Sequence, residues 1–400
     1  MEGRFKIIVF SSPAEVDDEA AKLTELLDRG VDFLHIRKPG WSHGRIDRLL
    51  SELPTRCHHR IKLHDCQELA LKYPGIGVNL NSRCPLHDFS GPVSAGVHSL
   101  EEIESIGNAV DYLFLSPVYD SISKSGYQGR FNSTVIAPDY PYEVIALGGV
   151  TVDRLEELCL RGFAGAALLG EVWETPNGVD RLVKAMRMRN GRLQFIDDGD
   201  DPDLIIERGL QAVAGGCRWI QVRMKNATEA TVSATVARLM EQVPGDVTVI
   251  VDDHVEVAPL CHGVHLGQND MDPAEARRRL GTEAIIGLTL NTADDLRRAT
   301  TLPVDYYGIG PFRFTSTKKK LSPVLGLEGY VGIMSARRAL NDRRPFVAIG
   351  GITRHDVGPL LQAGVPGIAV SGAIAKAPDP IEATRQIITE MNIRNKIYII

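Results

Sequence analysis

The sequence predicts an α/β protein built from two tandem (β/α)8 barrels, also called TIM barrels. Its 400 residues are enough for two domains of ordinary size. Each half contains eight short apolar runs separated by segments with helical periodicity. A repeat links the halves: DYLFLSPVYDSISKS (111–125) and DYYGIGPFRFTSTKK (305–319) share an opening DY, a central proline and a closing segment of hydroxyl residues with a lysine. These observations indicate a duplicated barrel.

The predicted strands follow the apolar runs in order. In the first half they are FKIIVF (5–10), VDFLHIR (31–37), RIKLHD (60–65), GIGVNL (75–80), VSAGVH (93–98), DYLFLSP (111–117), EVIALGG (143–149) and GAALLG (165–170). In the second half they are LQFID (193–197), CRWIQVR (217–223), VTVIVDD (247–253), HGVHLGQ (262–268), AIIGLT (284–289), DYYGIGP (305–311), FVAIGG (346–351) and GIAVSG (367–372). Apolar strands between helices favour a parallel sheet covered by helices. The alternative is an open doubly wound sheet, which eight strands per half disfavour.

Helical segments lie between the runs. Residues 15–30 carry leucines at helical spacing and end at Gly30, a helix stop, and residues 255–260 and 274–280 are similar. The boundary between the halves is placed in MRMRNGR (186–192), which gives domains 1–187 and 188–400.

Composition excludes several functional classes. The net charge of −6 argues against a nucleic-acid surface, which needs clustered lysine and arginine. No apolar stretch approaches the roughly 20 residues of a membrane helix, so no membrane association is expected. Six scattered cysteines without paired spacing suit reduced thiols, and the N-terminus reads as a buried strand, so a cytoplasmic location is expected. The sequence leaves oligomeric state open, a homo-oligomer included.

In the second half, cationic and amide side chains follow the second strand. Gln221, Arg223 and Lys225 alternate along QVRMK, so all three face the same barrel mouth. Two cations and an amide suit a phosphate or diphosphate. The alternative is a solvated strand end.

Acidic residues end the next two strands. Asp252 and Asp253 follow the third strand, and Asp270 follows the fourth. Carboxylates from adjacent strand ends suit Mg²⁺, which takes one or two carboxylates together with substrate phosphate. Helix capping is the alternative for each acid alone.

Anion-binding features follow strands six to eight. They are the hydroxyls and the lysine of Thr315, Ser316, Thr317 and Lys318, and the glycine-containing ends Gly350–Gly351 and Ser371–Gly372. Glycines there let backbone N–H groups approach a phosphate. This half therefore offers two phosphate sites, which suits the joining of two phosphorylated substrates.

Seven motifs of the second half carry a resemblance to a known family. They are QVRMK, VDDHVEVA, GVHLGQNDM, IGLTLNT, DYYGIGPFRFTSTKKK, VAIGGIT and GIAVSGAI, and in this order they resemble thiamine-phosphate synthases across nearly all of residues 193–390. The resemblance implies a transferase of thiamine biosynthesis. It would join 4-amino-2-methyl-5-hydroxymethylpyrimidine diphosphate to a thiazole phosphate, with Mg²⁺ and with release of diphosphate.

The resemblance also implies a role for each matching residue. The pyrimidine diphosphate would be bound by Gln221, Arg223 and Lys225, and Mg²⁺ by Asp253 and Asp270. Thr289 stands where the family usually has a serine near the leaving group. The diphosphate and the thiazole partner would be bound by Thr315, Thr317 and Lys318, and the thiazole phosphate by Gly351, Ser371 and Gly372. Asp252 departs from the pattern, because the family usually has an asparagine on the pyrimidine there. An aspartate could still accept a hydrogen bond from the 4-amino group. The implied mechanism is dissociative and needs no protein nucleophile.

The first half differs at the positions that matter for this chemistry. Arg37 and Lys38 keep cations after the second strand, but Arg83 stands where the second half has Asp270 and would repel Mg²⁺. Diphosphate chemistry is therefore not expected here. Features of an anion site remain at Ser121, Ser123, Lys124 and Gly148–Gly149.

The fifth strand of the first half ends in a histidine. His98 stands where the second half has Asn291, and a histidine at a barrel mouth can move protons near neutral pH. A packing or capping histidine is the alternative.

The stretch AGVHSLEEI, with looser matches over residues 4–175, resembles TenI-type thiazole tautomerases. This resemblance implies His98 as general base, with Arg37, Lys38 and Lys124 on the anions of a thiazole carboxylate phosphate. The motifs HIRK, KLHD and LGEVW also fit TenI-like proteins whose activity is unproven. A non-catalytic binding or scaffold domain is the competing reading. For the whole chain, a different phosphate-binding barrel enzyme is also open, although the second half has no strand-interior lysine for aldolase chemistry.

Overall fold

The computed structural model describes residues 5–81, 89–105, 110–121, 128–136, 142–190, 192–314 and 323–397. Contacts divide the chain into two compact units, one running to residue 183 and one from residue 184. The predicted boundary, 187–188, lies close to that division.

The first unit contains a closed barrel of eight parallel strands in sequence order. Its strands are β1 (Lys6–Phe10), β2 (Phe33–Ile36), β3 (Ile61–His64), β4 (Gly77–Leu80), β5 (Val93–Val97), β6 (Tyr112–Leu115), β7 (Val144–Leu147) and β8 (Gly165–Leu168). Its helices are α1 (Glu19–Asp28), α2 (His43–Glu52), α3 (Gln67–Lys72), α4 (Leu100–Ser105), α5 (Leu155–Leu160) and α6 (Gly170–Trp173), with 3₁₀ turns at Thr55–Arg60 and Val152–Arg154. Helix α7 (Gly178–Asn190) begins in this unit and includes the division at residues 183–184. β1 pairs with β8, for example Ile8 with Ala167, which closes the barrel.

The second unit repeats this architecture. Its strands are β9 (Leu193–Asp198), β10 (Trp219–Arg223), β11 (Thr248–Asp252), β12 (Gly263–Leu266), β13 (Ile285–Leu290), β14 (Tyr306–Ile309), β15 (Phe346–Ala348) and β16 (Gly367–Val370). Its helices are α8 (Pro202–Ala214), α9 (Glu229–Met240), α10 (Pro273–Leu280), α11 (Ala293–Ala299), α12 (Gly326–Ala339), α13 (Arg354–Gln362), α14 (Gly372–Ala375) and α15 (Pro380–Ile397), with a 3₁₀ turn at Ala258–Leu260. β9 pairs with both β10 and β16. The predicted pair of (β/α)8 barrels is confirmed.

Strand alternation decides which side chains enter each barrel. In the second barrel, Trp219, Ile250 and Tyr306 fill the interior, while the opposite faces of the strands pack against the helices. In the first barrel, Phe10, Tyr112 and Phe114 lie in the interior cluster, with the Phe10 and Phe114 rings 5.4 Å apart. The two interiors are therefore filled differently.

One helix prediction is wrong. Residues 255–260 form only a short 3₁₀ turn, Ala258–Leu260. Pro259 lies inside this segment and lacks the N–H that an α-helix needs. Among the described residues, no helix has the length and apolar character required to cross a bilayer.

Candidate active sites at the carboxyl ends of the strands

The mouth of the second barrel holds a buried hydrogen-bonded group on β10 and β11. The Gln221 amide Nε2 donates to Asp252 Oδ1 at 2.6 Å, and Arg223 Nε lies 3.1 Å from Asp252 Oδ2. Arg223 also donates to Asp198 at the end of β9. All four side chains point to the same barrel mouth. Alternate residues of a strand face the same side, and each of the four lies two or four residues after an inward-facing residue of its own strand. The contacts fix the guanidinium at the mouth.

Lys225 and Asp253 extend this group toward solvent. Lys225 Nζ lies 2.7 Å from Asp253 Oδ2 and 3.7 Å from Asp252 Oδ2. The Asp253 backbone has a φ of 64°, and its N–H donates to the His265 carbonyl at 2.9 Å. Left-handed geometry is unusual for a non-glycine residue and is tolerated best by aspartate and asparagine. Burial, reinforced by the charge of Asp253, raises the pKa of Asp252 to about 6.

Asp253 and Asp270 form a carboxyl pair. Their side chains are in hydrogen-bond contact, although Asp253 follows β11 and Asp270 follows β12. Burial and the Asp253 carboxylate raise the pKa of Asp270, while hydrogen bonds from Asp270 and Lys225 outweigh burial and lower the pKa of Asp253. Two carboxylates in contact need a shared proton or a cation between them. The pair therefore fits the hard oxygen site that Mg²⁺ prefers.

His265 and Tyr306, which were not among the predicted site residues, form a chain of hydrogen bonds to the Thr289 hydroxyl. His265 accepts or donates at both nitrogens, with Nδ1 2.7 Å from the Tyr306 hydroxyl and Nε2 2.8 Å from Thr289 Oγ1. All three residues are buried in the barrel. The position of His265 could have been predicted from the sequence, because it lies on the inward face of β12, two residues before Gly267. This chain of hydrogen bonds fixes the orientation of the Thr289 hydroxyl.

The glycines after β15 and β16 lie at the predicted phosphate end. Gly350 and Gly351 have φ values of 100° and 65°, which side chains rarely adopt. Gly372 begins α14 and is exposed, with Ser371 half-buried before it. Arg313 Nη1 donates to the Gly351 carbonyl at 2.9 Å and pairs with Asp356. Thr315, Thr317 and Lys318 lie outside the described residues.

In the first barrel, two histidines occupy the strand positions of Gln221 and Asp252. His35 Nδ1 lies 2.8 Å from His64 Nε2, and His35 Nε2 lies 2.7 Å from the Tyr112 hydroxyl. Burial lowers the pKa of both imidazoles, that of His64 to about 3. The pair is therefore neutral at physiological pH.

Asp65 is the counterpart of Asp253 and has the same unusual backbone, with a φ of 61°. Its Oδ1 accepts a hydrogen bond from Asn81 Nδ2 at 2.9 Å. Arg83, which the sequence places opposite Asp270, lies outside the described residues. The turn is thus repeated in both barrels, while the partners that the structure describes differ.

His98 lies exposed at the mouth, where β5 ends. Its Nδ1 lies 3.0 Å from the Ser116 carbonyl, which can only accept, and 3.4 Å from Ser116 Oγ. In the neutral imidazole the contact to the carbonyl favours the tautomer with the proton on Nδ1, which makes Nε2 the acceptor. Asn291 makes the matching contact in the second barrel, where its amide donates to the Gly310 carbonyl. Beside His98, a side chain at Gly96 would meet open space. His98 therefore lies close in sequence to a position with open space around it.

Lys38 is not placed as predicted. It lies next to Arg37, so alternation turns it to the outer face of the barrel, where its side chain is fully buried. Lys38 Nζ donates to Glu19 Oε2 and to the Ala14 carbonyl. This corrects its predicted role as an anion ligand. Arg37 keeps the inward face and lies close enough to His64 to lower the pKa of that imidazole, whereas Lys124 lies outside the described residues.

Comparison with known proteins matches the second barrel. The family model "Thiamine monophosphate synthase" aligns with residues 193–374. The thiamine-phosphate synthase of Bacteroides fragilis is 47% identical over 199 residues, which is 49% of this chain and 98% of that protein. The enzyme of the same name from Bacteroides thetaiotaomicron is 48% identical over 204 residues, 50% of this chain and 98% of that protein. The chain belongs to the thiamine monophosphate synthase family.

Membership of this family rests on the second barrel, because these relatives correspond to half of the chain. A solved thiamine phosphate pyrophosphorylase from Pyrococcus furiosus is 30% identical, covers 52% of this chain and 98% of its own length, and has a TM-score of 0.45. Membership of this family assigns a thiamine-phosphate synthase function to the second barrel.

Proposed function

We propose that the second barrel joins 4-amino-2-methyl-5-hydroxymethylpyrimidine diphosphate to a thiazole phosphate, or to its carboxylated form, and releases diphosphate. The observation that carries this proposal is the juxtaposition of cations and acids at one mouth. Arg223 and Lys225 lie within ion-pair distance of Asp252, and Asp253 contacts Asp270. Such a site can neutralise a leaving diphosphate.

The residues of this chain divide the work of that reaction. Arg223 and Lys225 bind the diphosphate. Asp252, together with Gln221, positions these two cations and the pyrimidine relative to one another. The Thr289 hydroxyl, oriented by His265, faces the leaving group. Lys318, beyond the described residues, is proposed to add a third cation. The amino-pyrimidine stabilises the carbon cation formed when diphosphate departs, and the thiazole nitrogen captures it.

Mg²⁺ is the proposed cofactor, and Asp253 and Asp270 are the residues that would hold it. Bound there, Mg²⁺ would offset the negative charge of the diphosphate. The thiazole phosphate is assigned to the backbone around Gly351 and to Ser371 and Gly372, since glycine allows a phosphate to approach the backbone N–H groups.

For the first barrel we propose a TenI-like isomerase that acts on a thiazole carboxylate phosphate. His98 would be the base, since its Nδ1 hydrogen bond makes Nε2 the acceptor. Arg37 would bind a substrate anion. A substrate produced by this step is one that the second barrel would consume.

A second candidate for the first barrel is a non-catalytic binding or scaffold domain. Two observations favour it. His98 makes the same contact to a carbonyl that Asn291 makes, which a structural residue would also do. In addition, the Phe10, His35 and Phe114 rings pack within 4.8–5.4 Å of one another in the interior.

Assay of the intact chain tests both proposals separately. Thiamine phosphate and diphosphate should form in equal amounts from the pyrimidine diphosphate and thiazole phosphate, and only with Mg²⁺. Isomerisation of the thiazole carboxylate phosphate is followed without the pyrimidine. Failure of coupling would overturn the first proposal, and coupling without isomerisation would leave the scaffold reading for the first barrel.

A further inference from the structure

A cluster of three metal-ligating side chains lies at the rim of the first barrel, outside the sites described above. His43 begins α2, Cys66 follows the turn after β3, and Glu68 belongs to the first turn of α3. One ligand atom from each, a ring nitrogen, the sulfur and a carboxylate oxygen, lies within 4.8 Å of the other two. The first turn of α2, the first turn of α3 and the residue before α3 bring these atoms together.

We propose that His43, Cys66 and Glu68 form a binding site for Zn²⁺. The donor set of sulfur, nitrogen and oxygen is the one that zinc takes in proteins, and three protein ligands leave a fourth position for water or a small anion. Mg²⁺ is disfavoured because it requires oxygen ligands.

The spacing of the ligand atoms fits this ion after a small adjustment. Tetrahedral zinc with these ligands sets neighbouring donor atoms about 3.5 Å apart. The present separations reach at most 4.8 Å, while His43 Nδ1 and Glu68 Oε1 are 2.7 Å apart. The two outer ligands must therefore separate slightly and turn toward the sulfur. Their side chains are 63% and 54% exposed, so such rotation meets little packing.

The three ligands differ in exposure in a way that suits the binding of an ion from solvent. Cys66 is buried with 4% of its surface exposed, whereas His43 and Glu68 lie above it in solvent. His43 Nδ1 and Glu68 Oε1 are now hydrogen-bonded to each other at 2.7 Å, and zinc would replace this hydrogen bond. Zinc binding is expected to release the thiol proton of Cys66, because zinc is ligated by the thiolate.

The alternative is that the contact between His43 and Glu68 is purely structural and only links α2 to α3. Asp47 of α2 already makes that tie, since its carboxylate oxygens accept from Lys72 at 2.6 Å and from the Tyr73 hydroxyl at 2.7 Å. Asp47 therefore supplies a matched control, because it links the same region without a thiol beside it.

Cobalt titration of the reduced full-length chain tests the proposal. Excess Mg²⁺ is present so that all-oxygen sites are occupied. Co²⁺ bound to a thiolate gives a sulfur-to-metal charge-transfer absorption, which Mg²⁺ and oxygen ligands do not produce. We expect one equivalent of Co²⁺ to develop this absorption in the wild type, and Zn²⁺ to abolish it by displacement. The Cys66→Ser variant should lack it, and His43→Ala and Glu68→Gln should weaken Co²⁺ binding.

Asp47→Asn should keep the full absorption, which separates ligation from a tie between helices. Thermal unfolding of each variant without metal controls for folding, and the exposed His43→Ala decides the question should Cys66→Ser be unstable. Absence of the absorption in the wild type would overturn the proposal. So would the same absorption in Cys66→Ser, or unchanged Co²⁺ affinity in His43→Ala.

Discussion

The two barrels place different chemistry on equivalent strand positions. Where the second has the amide of Gln221 donating to the carboxyl group of Asp252 at 2.6 Å, the first has His35–His64 at 2.8 Å. The scaffold keeps a hydrogen bond between the second and third strands in both. Only the second pair can orient cations, because Asp252 is ionisable and borders Arg223, whereas buried imidazoles stay neutral.

The turn after the third strand teaches the same lesson. Asp253 and Asp65 share a left-handed backbone, with φ of 64° and 61°. Asp253 contacts a lysine and a second acid, whereas Asp65 accepts from the neutral amide of Asn81. Backbone geometry is therefore retained while the electrostatics diverge, so a retained residue need not mean a retained reaction.

The largest effect that separates the barrels is expected from His98→Asn. The new side chain copies Asn291 and can still donate to the Ser116 carbonyl, so folding should be preserved. Loss of the base should lower thiazole isomerisation by about 10²–10⁴-fold. The measurement is the isomerisation rate, with coupling in the same preparation as control. An unchanged rate would remove His98 from the chemistry.

A stability test addresses the corrected position of Lys38. Lys38→Met introduces the residue that the second barrel has at Met224, but it leaves Glu19 buried without its cation. Breaking a buried pair in this way costs about 3–5 kcal/mol. The free energy of unfolding in urea measures the loss. Combining Lys38→Met with Glu19→Gln should recover much of it, and a harmless single variant would contradict the buried pair.

The smallest expected effect is a pH dependence confined to the second barrel. Asp197 is buried where the first barrel has Ser11, and burial outweighs Arg208, 2.7 Å away, to raise the pKa of Asp197 to about 7 from an ordinary 3.8. The folded state then holds the proton more tightly than the unfolded chain. This contribution to stability is full below about pH 4 and is lost as pH rises to about 7.

Asp197→Asn should remove that slope. Between pH 5 and pH 8 the wild type should lose roughly 2–3 kcal/mol more stability than the variant. Urea unfolding at both pH values measures it, with the exposed Asp203→Asn as control. Parallel pH profiles for wild type and Asp197→Asn would show that Asp197 does not titrate in this range.

The fold could be predicted because all sixteen strands are apolar runs whose count and order define a barrel. The placement of Arg223 and Lys225 beside one another could be predicted because both lie at the end of a single strand, while their role in binding stays a prediction. The predicted position of Lys38 at the mouth was wrong. Because side chains alternate along a strand, Lys38 and its neighbour Arg37 cannot both face the same mouth. The His265–Thr289 contact depends on the register of β12 against β13, which the sequence does not state.

The central claim is that acids at the second mouth hold a cation beside the diphosphate site. The most direct measurement is the rate of Mg²⁺-dependent thiamine phosphate formation by Asp270→Ala, compared with the neighbouring exposed Asn269→Ala. We expect Asp270→Ala to lose at least about 10²-fold, as removal of charge stabilisation does elsewhere, and Asn269→Ala to match the wild type. Full activity in Asp270→Ala would contradict the account.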